Sequence, residues 1–229
     1  MTTDLPFHEG GISDDVNSTS TEVMAVPDLD EGTVVSALDL LAHWWSRPES
    51  DEVAIWNSGC DLEEQVCDSM PERPDRLSLV IDDIPALLEE YERLFIGPGP
   101  VPCPPYESYW RTDVPADIRS TLMGPCTADL NRLYAELGLE LAPSRGELPD
   151  HVAIEFEALA FALSLEGVST VAQSLFFDHV KKWLPRLCRA VAREAETLFY
   201  KQLADVTVAW LDPIQSYFES IVMSDSTAG

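Results

Sequence analysis

The side chains of this sequence that could move protons fall in two short acid–histidine pairs. Asp150 precedes His151, and Glu155 follows one helical turn later, a spacing that would let a carboxylate orient an imidazole as a general base. The second pair is Asp178 and His179. No nucleophile or oxyanion-binding loop is recognisable beside either pair. The pattern therefore favours structural roles, with Asp150 capping a helix and His151 packing against a loop, and a His151-dependent hydrolase is kept as an alternative.

The cysteines and glycines give little support to a metal or phosphate site. Zinc held by His151, His179 and distant cysteines has no ligand spacing in its favour, so no metal or catalytic residues are assigned. Gly97-Pro98-Gly99 could suggest a phosphate loop, but its prolines remove the backbone donors that such a loop needs. The odd number of cysteines, without a CxxC pair, indicates a reduced, cytoplasmic compartment; they are Cys60, Cys67, Cys103, Cys126 and Cys188.

The stretch 97–106 holds five prolines in ten residues. Proline fixes φ and lacks an N–H donor, so the region from Gly97 to Pro115 is expected to be least helical, with 97–106 an ordered extended loop. Tyr106, Tyr109 and Trp110 follow directly. Aromatic side chains on a stiff loop suit an apolar peptide, because little entropy is lost on binding. The alternative is that this loop packs onto its own domain.

The charge balance is strongly acidic. Fourteen Lys+Arg oppose 41 Asp+Glu, which gives a net charge of −27. Such a surface disfavours nucleic acid and anionic membranes as partners, and it would attract a basic peptide. Only three cations are lysines, and an acidic, lysine-poor surface suits a salty cytosol, which is held as a hypothesis.

The sequence predicts an all-α, single-domain fold after an acidic tail. Residues 1–30 hold seven acids and no Lys or Arg, so they are expected to be disordered and are not a secretory signal. No stretch is long and apolar enough to span a membrane. Residues 31–215 should form the helical domain, with residues 216–229 a C-terminal extension that frays at its end.

Apolar spacing places the helices within that domain. One helix starts at Glu31, a second has Pro85 in its first turn, a third has Thr127 as its N-cap and ends at Gly138, and three more start near Asp150, Ser169 and Arg193. Their expected buried faces are Val34, Leu38, Leu41 and Trp45; Leu87, Tyr91, Leu94 and Phe95; Leu130, Leu133, Tyr134 and Leu137; Phe156, Leu159 and Leu163; Phe176, Val180, Trp183, Leu187 and Val191; and Phe199, Leu203, Val206 and Trp210.

Several separated motifs, in order, resemble the TorD/DmsD/NarJ family of molybdoenzyme maturation chaperones. They are residues 91–98 (YERLFIGP) with 104–108 (PPYES), 147–151 (ELPDH), Glu155-Phe156, 179–185 (HVKKWLP), and Phe199-Tyr200 with Leu203-Ala204 and Trp210-Leu211. The resemblance covers roughly residues 31–215. It implies an all-helical cytoplasmic chaperone rather than an enzyme, with a hinge near residues 145–151.

The resemblance also implies a partner and a binding site. The partner would be the catalytic subunit of a molybdopterin oxidoreductase of the DMSO, TMAO or nitrate reductase type, held by its twin-arginine signal peptide until cofactor insertion is complete. A NarJ-like factor that recognises the N-terminus of a non-exported enzyme is the alternative. The implied peptide-binding residues are Leu94, Phe95, Pro104, Pro105, Tyr106, Trp110, Pro149, Asp150, His151 and Glu155.

The family resemblance further implies no stably bound cofactor. Some members are reported to bind guanine nucleotide weakly, and members occur as monomers or as dimers that swap domains at the hinge. Two features depart from the family pattern: the acidic tail is longer than expected, and Tyr106 stands where some relatives have tryptophan.

Overall fold

Helices form the regular structure of the computed structural model, which describes residues 29–48, 84–115, 124–142 and 146–227. Within these ranges there is no β-strand, and one isolated bridge joins Tyr106 to His151. The all-α prediction is confirmed. The predicted disorder of the tail concerns residues 1–28, which lie outside the described part of the chain.

The first helix, α1, spans Glu31–Trp45. Asp30 caps it, because its Oδ1 accepts a hydrogen bond from the Thr33 N–H at 2.8 Å, and the helix ends three residues before Pro48. Leu29 is also buried. The predicted boundary at residue 30 was therefore late, since Leu29 packs in the core and Asp30 caps the helix that opens the domain.

The second helix, α2, spans Ile84–Tyr91 and continues as a π-helical turn over Glu92–Ile96. Gly97, at φ 101°, ends it. The extended loop predicted for 97–106 contains no helix, but a short helix, α3, covers Glu107–Trp110 within the region expected to be least helical. Its first N–H groups find acceptors on a distant residue, Asp150, which sequence spacing does not reveal.

The next helix, α4, spans Pro125–Glu136. Its N-cap is Gly124 rather than the predicted Thr127, because Pro125 supplies the fixed φ of the first helical position and Thr127 lies buried inside the first turn. The predicted end at Gly138 agrees with its φ of 72°, a conformation that glycine adopts without strain.

The following helix, α5, spans Val152–Glu166. Its N-cap is His151, whose Nδ1 accepts from the Ala153 N–H at 3.2 Å; the prediction that Asp150 caps this helix was wrong, because Asp150 turns toward α3 instead. Most of α5 is apolar and buried on all sides, as expected of a central helix in a bundle.

The chain then forms a long helix with a wide turn inside it. Ser169 caps α6, Thr170–Gln173, through a bond from the Ala172 N–H. A π-helical segment, Ser174–Val180, leads into α7, Lys181–Glu194.

The last helix, α8, spans Leu198–Thr227. It begins after the predicted start near Arg193, which belongs to α7. It also continues past the predicted boundary at residue 215, and Tyr217 and Phe218 are buried in the core, so those residues are part of the domain.

One hydrophobic cluster joins these helices. Helix α1 packs along α5, α7 packs along α8, and α3 contacts α7. All six predicted apolar faces are buried. None of the helices in the described ranges combines the length and hydropathy needed to cross a bilayer.

Candidate functional site

The proline-rich loop is joined to the start of α5 by backbone hydrogen bonds. The Val152 N–H donates to the Pro105 carbonyl and the Glu107 N–H donates to the Asp150 carbonyl, both at 2.9 Å. Asp150 Oδ2 also accepts from the Ser108 N–H at 3.1 Å. Because these bonds satisfy the first N–H groups of α3, they hold the aromatic loop at a fixed place on the domain.

Side-chain bonds stiffen the same junction. The Tyr106 hydroxyl donates to Glu147 Oε2 at 3.0 Å, and the Tyr106 ring meets the His151 ring edge-on with centroids 5.4 Å apart. Trp110 Nε1 donates to the Pro104 carbonyl at 2.6 Å. Burial, and then the Glu147 charge, raise the pKa of Tyr106, so its hydroxyl stays protonated and remains a donor at neutral pH.

The ten predicted peptide-binding residues divide into an accessible group and a buried group. Pro104, Tyr106 and Trp110 are half-buried and present part of their surface to solvent. The other seven are buried, namely Leu94, Phe95, Pro105, Pro149, Asp150, His151 and Glu155. The accessible apolar surface therefore belongs to the loop, and the buried residues support it from below.

Leu94 and Phe95 belong to the core of the domain. Phe95 packs in an aromatic cluster with ring centroids 5.9 Å from Trp45, 5.0 Å from Tyr91 and 5.5 Å from Tyr200. Tyr109, which the family resemblance did not include, is 46% exposed and meets Trp110 edge-on at 5.1 Å. Tyr109 thus adds an aromatic ring to the accessible face of the loop.

The two acids expected to face arginines of a peptide, Asp150 and Glu155, are 0% and 1% exposed. Trp183 Nε1 donates to Glu155 Oε2 at 3.1 Å. Burial, and then the nearby Glu107 charge, raise the pKa of Glu155 well above its usual range. Glu155 is accordingly neutral over at least part of the pH range in which a surface glutamate is charged.

A buried polar cluster lies beneath α3, and sequence analysis missed it. Arg111 Nη1 donates to the buried Glu107 carboxylate and, at 2.9 Å, to the Asp178 carbonyl. His179 Nδ1 lies 2.8 Å from Glu107 Oε2, and its Nε2 lies 3.2 Å from Asp129 Oδ2. These contacts tie α3 to α4 and to the π-helical segment before α7.

Two parts of this cluster can be recognised in the sequence, but the sequence does not show that they come together. Asp178–His179 was noted only as an acid–histidine pair with a structural role, and the i,i+4 spacing of Glu107 and Arg111 fits an ion pair on a helix. Their convergence depends on α3, whose first amide hydrogens are accepted by the distant residue Asp150.

The described residues give little support to a metal site, a reactive cysteine or a catalytic histidine. No three potential metal ligands converge in these ranges. Burial raises the pKa of Cys126 to about 11 and that of Cys103 to about 12, which keeps both as thiols. His151 uses Nδ1 to cap α5, and that bond occupies the nitrogen lone pair that a general base would need.

A family model described as the nitrate reductase delta subunit matches residues 64–189, which is more than half of the chain. Among curated proteins, the chain is 32% identical over 127 residues to the Tat proofreading chaperone DmsD of Salmonella typhi, covering 54% of this chain and 59% of that protein. It is 29% identical over 142 residues to the chaperone protein TorD of Salmonella bongori, covering 61% and 62%. The match thus spans about three fifths of the length of these relatives.

A structural comparison agrees on the fold. A crystal structure of a candidate redox enzyme maturation protein from Archaeoglobus fulgidus superimposes with a TM-score of 0.57 and 24% identity. The likeness covers 78% of this chain and 93% of that one. This similarity extends the shared architecture beyond the region that the family model matches.

Proposed function

The chain belongs to the nitrate reductase delta subunit family, the TorD/DmsD/NarJ group that its motifs resemble, and we propose that it is a cytoplasmic assembly chaperone. Its client would be the catalytic subunit of a molybdopterin oxidoreductase. It would hold the N-terminal peptide of that subunit until the cofactor is inserted. In this role the protein binds and shields its client, and catalyses no reaction.

The observation that carries this proposal is the aromatic loop fastened to the start of α5. Backbone bonds from Glu107 and Val152 fix it, and the bond from Trp110 to the Pro104 carbonyl fixes the indole ring. A peptide that binds a surface already held in place loses less conformational entropy than one that must order a flexible loop. The half-exposed faces of Pro104, Tyr106 and Trp110, with Tyr109, offer apolar contact to such a peptide.

Charge supports a basic client segment. The net charge of −27 would steer an arginine-bearing peptide toward the domain. Because Asp150 and Glu155 are buried, we assign the first encounter to exposed acids and give Asp150 the separate task of positioning α3. Glu147, which accepts a hydrogen bond from the Tyr106 hydroxyl and is half-buried, is a partly accessible carboxylate beside that ring.

The first prediction tests the loop. Tyr106→Ala and Trp110→Ala should each weaken binding of a client signal peptide by about tenfold or more, because well-packed aromatic anchors dominate peptide affinity. Leu198→Ala is the matched control, since Leu198 is 66% exposed on α8 and lies outside the loop. Isothermal titration calorimetry measures affinity, and circular dichroism checks that each variant is folded.

A peptide with both arginines changed to lysine completes this test. Lysine keeps the charge but loses the planar fork, so weaker binding would indicate bidentate contacts. Unchanged affinity in both aromatic variants would remove the loop from the binding site.

A second candidate, an assembly factor for a non-exported enzyme, is favoured by the family model itself, which is described as the nitrate reductase delta subunit. Such a client would present a mature N-terminus without a twin-arginine motif. Purification of the chaperone with its client from native cells, followed by sequencing of the client's N-terminus, separates the two candidates. A twin-arginine leader supports the first, and its absence from the encoded client supports the second.

A further inference from the structure

A row of positive charge runs along the outer side of α7. Residues 181–193 hold five of the fourteen Lys and Arg residues of the chain and no Asp or Glu. Four of these cations recur at intervals of four, three and four residues, a spacing that places them on one side of a helix. This basic stripe consists of Lys182, Arg186, Arg189 and Arg193.

The basic stripe faces away from the core. The opposite side of α7 is buried through Trp183, Leu187 and Val191. Arg186 is half-buried, and the other three members of the stripe are exposed. Like charges at these spacings repel one another on a helix, so an anion laid along the stripe would relieve that repulsion.

Two members of the stripe have no carboxylate partner. Arg186 donates to the Lys182 carbonyl at 2.9 Å and forms no ion pair within the described ranges, and Arg189 has neither an ion pair nor a hydrogen bond there. All the arginines outside the stripe that the structure describes pair with a carboxylate, namely Arg47, Arg93, Arg111 and Arg132. In a chain with 41 acids, the two central guanidinium groups are thus available to an additional anion.

The ends of the stripe are held by exposed pairs. Lys182 Nζ lies 3.2 Å from Asp178 Oδ1, and Arg193 Nε lies 2.8 Å from Glu194 Oε1. Because an exposed ion pair contributes little free energy, an incoming carboxylate could replace either partner.

The first helix of the domain begins close to one end of the stripe. The Tyr217 hydroxyl donates to Glu31 Oε2 at 3.4 Å, which places the first turn of α1 beside α8. Two residues earlier on α8, Gln215 accepts a hydrogen bond from Lys181, the residue before Lys182. The chain that precedes α1 therefore joins the domain near the Lys182 end of the stripe.

The segment that precedes α1 has the charge and the length to cover the stripe. Residues 1–28 carry six acids and no lysine or arginine. The stripe is about 17 Å long at the rise of an α-helix. Seven residues, 22–28, can extend to about 23 Å, so Glu22 and the acids before it, among them Asp14 and Asp15, can reach along the stripe.

We propose that the basic stripe of α7 is the docking surface for the chain's own segment 1–28, whose carboxylates pair with Arg186 and Arg189. The attraction acts between side-chain charges and requires no fixed backbone conformation in the segment. The docked segment shields the stripe from other anions. This surface is separate from the aromatic loop, and the proposal does not depend on the chaperone function.

Charge and tethering select this occupant. A client peptide that carries arginines would be repelled by the stripe. A second copy or a nucleic acid would meet the net charge of −27 of the chain. Segment 1–28 is covalently joined to the domain, so its effective concentration at the stripe is about millimolar, which offsets the small contribution of each exposed ion pair.

Competition in the full chain tests the docking. The probe is a fluorescein-labelled synthetic peptide with the sequence of residues 1–28, and fluorescence anisotropy at low ionic strength measures its affinity. In the triple variant Asp14→Asn, Asp15→Asn, Glu22→Gln, the chain's own segment should release the stripe. The probe should then bind about tenfold more tightly than to the wild type. Equal affinity for the two proteins would overturn the intramolecular docking.

A second triple variant controls for net charge. Glu89→Gln, Glu140→Gln, Glu166→Gln makes the same change in charge at exposed positions of the described domain. It should bind the probe as the wild type does. A gain equal to that of the first triple variant would show a general effect of net charge and would contradict the proposal.

Substitutions in the stripe form the second arm, in the background of the first triple variant. Arg186→Gln, Arg189→Gln should weaken probe binding by about fivefold, and less in high salt. Arg47→Gln, Arg132→Gln removes two cations outside the stripe and should have little effect. Lysine at positions 186 and 189 keeps the charge and should retain binding, and circular dichroism checks that each variant is folded. Equal losses in the two glutamine variants would remove the stripe as the docking surface.

Photocrosslinking identifies the occupant directly. Ala192 is exposed on α7 between Arg189 and Arg193, and p-benzoylphenylalanine in its place should capture residues 1–28. Capture from position 96 should be much weaker, although Ile96 is 52% exposed. In a mixture of ¹⁵N-labelled and unlabelled protein, crosslinks within one chain support the proposal. Crosslinks between labelled and unlabelled chains would assign the stripe to a second copy, and these, or no capture of residues 1–28, would overturn it.

Discussion

At the scale of single residues, the fold buries carboxyl groups whose surroundings differ. Glu155 accepts one hydrogen bond from the described residues, from Trp183, and its pKa is raised. Glu107, also fully buried, has Arg111 and His179 against it. The cost of burying a carboxyl group depends on such partners, so the two residues should respond differently to substitution.

Glu155→Gln should make the protein more stable than the wild type at neutral pH, because glutamine cannot ionise and burial disfavours the charged form of a carboxyl group. The folded-state pKa of Glu155 lies above its ordinary value of 4.5. The stability that this group contributes is therefore complete below pH 4.5 and is lost as the pH rises through the folded value. Glutamine does not ionise, so this pH-dependent loss of stability is absent, and its side-chain oxygen can still accept the hydrogen bond from Trp183.

Urea unfolding of both proteins between pH 5 and pH 8 measures this effect. The advantage of Glu155→Gln should grow with pH. A difference between the two proteins that does not change with pH would contradict the neutral, buried state of Glu155.

Arg111→Met should destabilise the protein by about 3–5 kcal/mol, because it leaves the Glu107 carboxylate buried without its guanidinium partner. The control is Arg47→Met. Arg47 pairs with Glu92 at 2.6 Å, but both side chains are about half exposed, so its loss should cost about 1 kcal/mol or less. Chemical denaturation measures both.

A second substitution sharpens this comparison. Adding Glu107→Gln to Arg111→Met should recover part of the lost stability, since the buried charge is then gone. Equal losses in Arg111→Met and Arg47→Met would show that the cluster beneath α3 contributes no more than a surface pair.

At the scale of elements, the start of α8 depends on a residue from α2. Glu90 Oε1 accepts from the Glu196 N–H at 2.5 Å and the Thr197 N–H at 3.4 Å, immediately before α8 begins. Arg93 donates to both oxygens of Glu90 and to the Glu194 carbonyl. This one ion pair thereby supplies hydrogen-bond partners to backbone groups at both the end of α7 and the start of α8.

Glu90→Ala should cost about 1–2 kcal/mol, as the loss of an N-terminal cap does, and should speed hydrogen exchange in the first turn of α8. Burial alone would raise the pKa of Glu90. Hydrogen bonds from Arg93 and from the Glu196 N–H outweigh burial and hold this pKa below its usual value. Its contribution is therefore present above pH 4.5 and is lost as the pH falls through the lower folded value.

The neighbouring exposed residue provides the control for this prediction. Glu89→Ala on the same helix should leave both stability and exchange in α8 unchanged. Fast exchange in α8 in both variants would argue against a specific cap.

At the scale of the whole molecule, net charge should govern how stability responds to salt. With a charge of −27, self-repulsion weakens the compact state in dilute buffer, and ions screen it. The midpoint of thermal unfolding should therefore rise substantially from low to molar potassium chloride. A flat or falling midpoint would remove the hypothesis that the surface is adapted to a salty cytosol and would leave the chaperone function untouched.

The sequence by itself determined most of the helices and their buried faces, although it did not predict α3. The apolar spacing at Val34, Leu38 and Leu41 and the helix end at Gly138 are local signals. One face of a helix recurs every three to four residues, and a glycine can end a helix by its own backbone conformation, so neighbouring residues suffice to predict both. The same local rules predicted an extended segment over 97–106. The motifs that identified the family are likewise short runs of neighbouring residues.

Tertiary structure alone decided which residues of the site are accessible. Leu94, Phe95 and Glu155 belong to the same set of implied peptide-binding residues as Tyr106 and Trp110, yet packing puts the first three inside the domain. The pairing of residues 105–108 with 150–152 closes more than 40 residues of chain, and so α3 and its polar cluster depend on contacts that no local pattern encodes. Burial and convergence of charges follow from how helices pack against one another, which is a property of the whole chain.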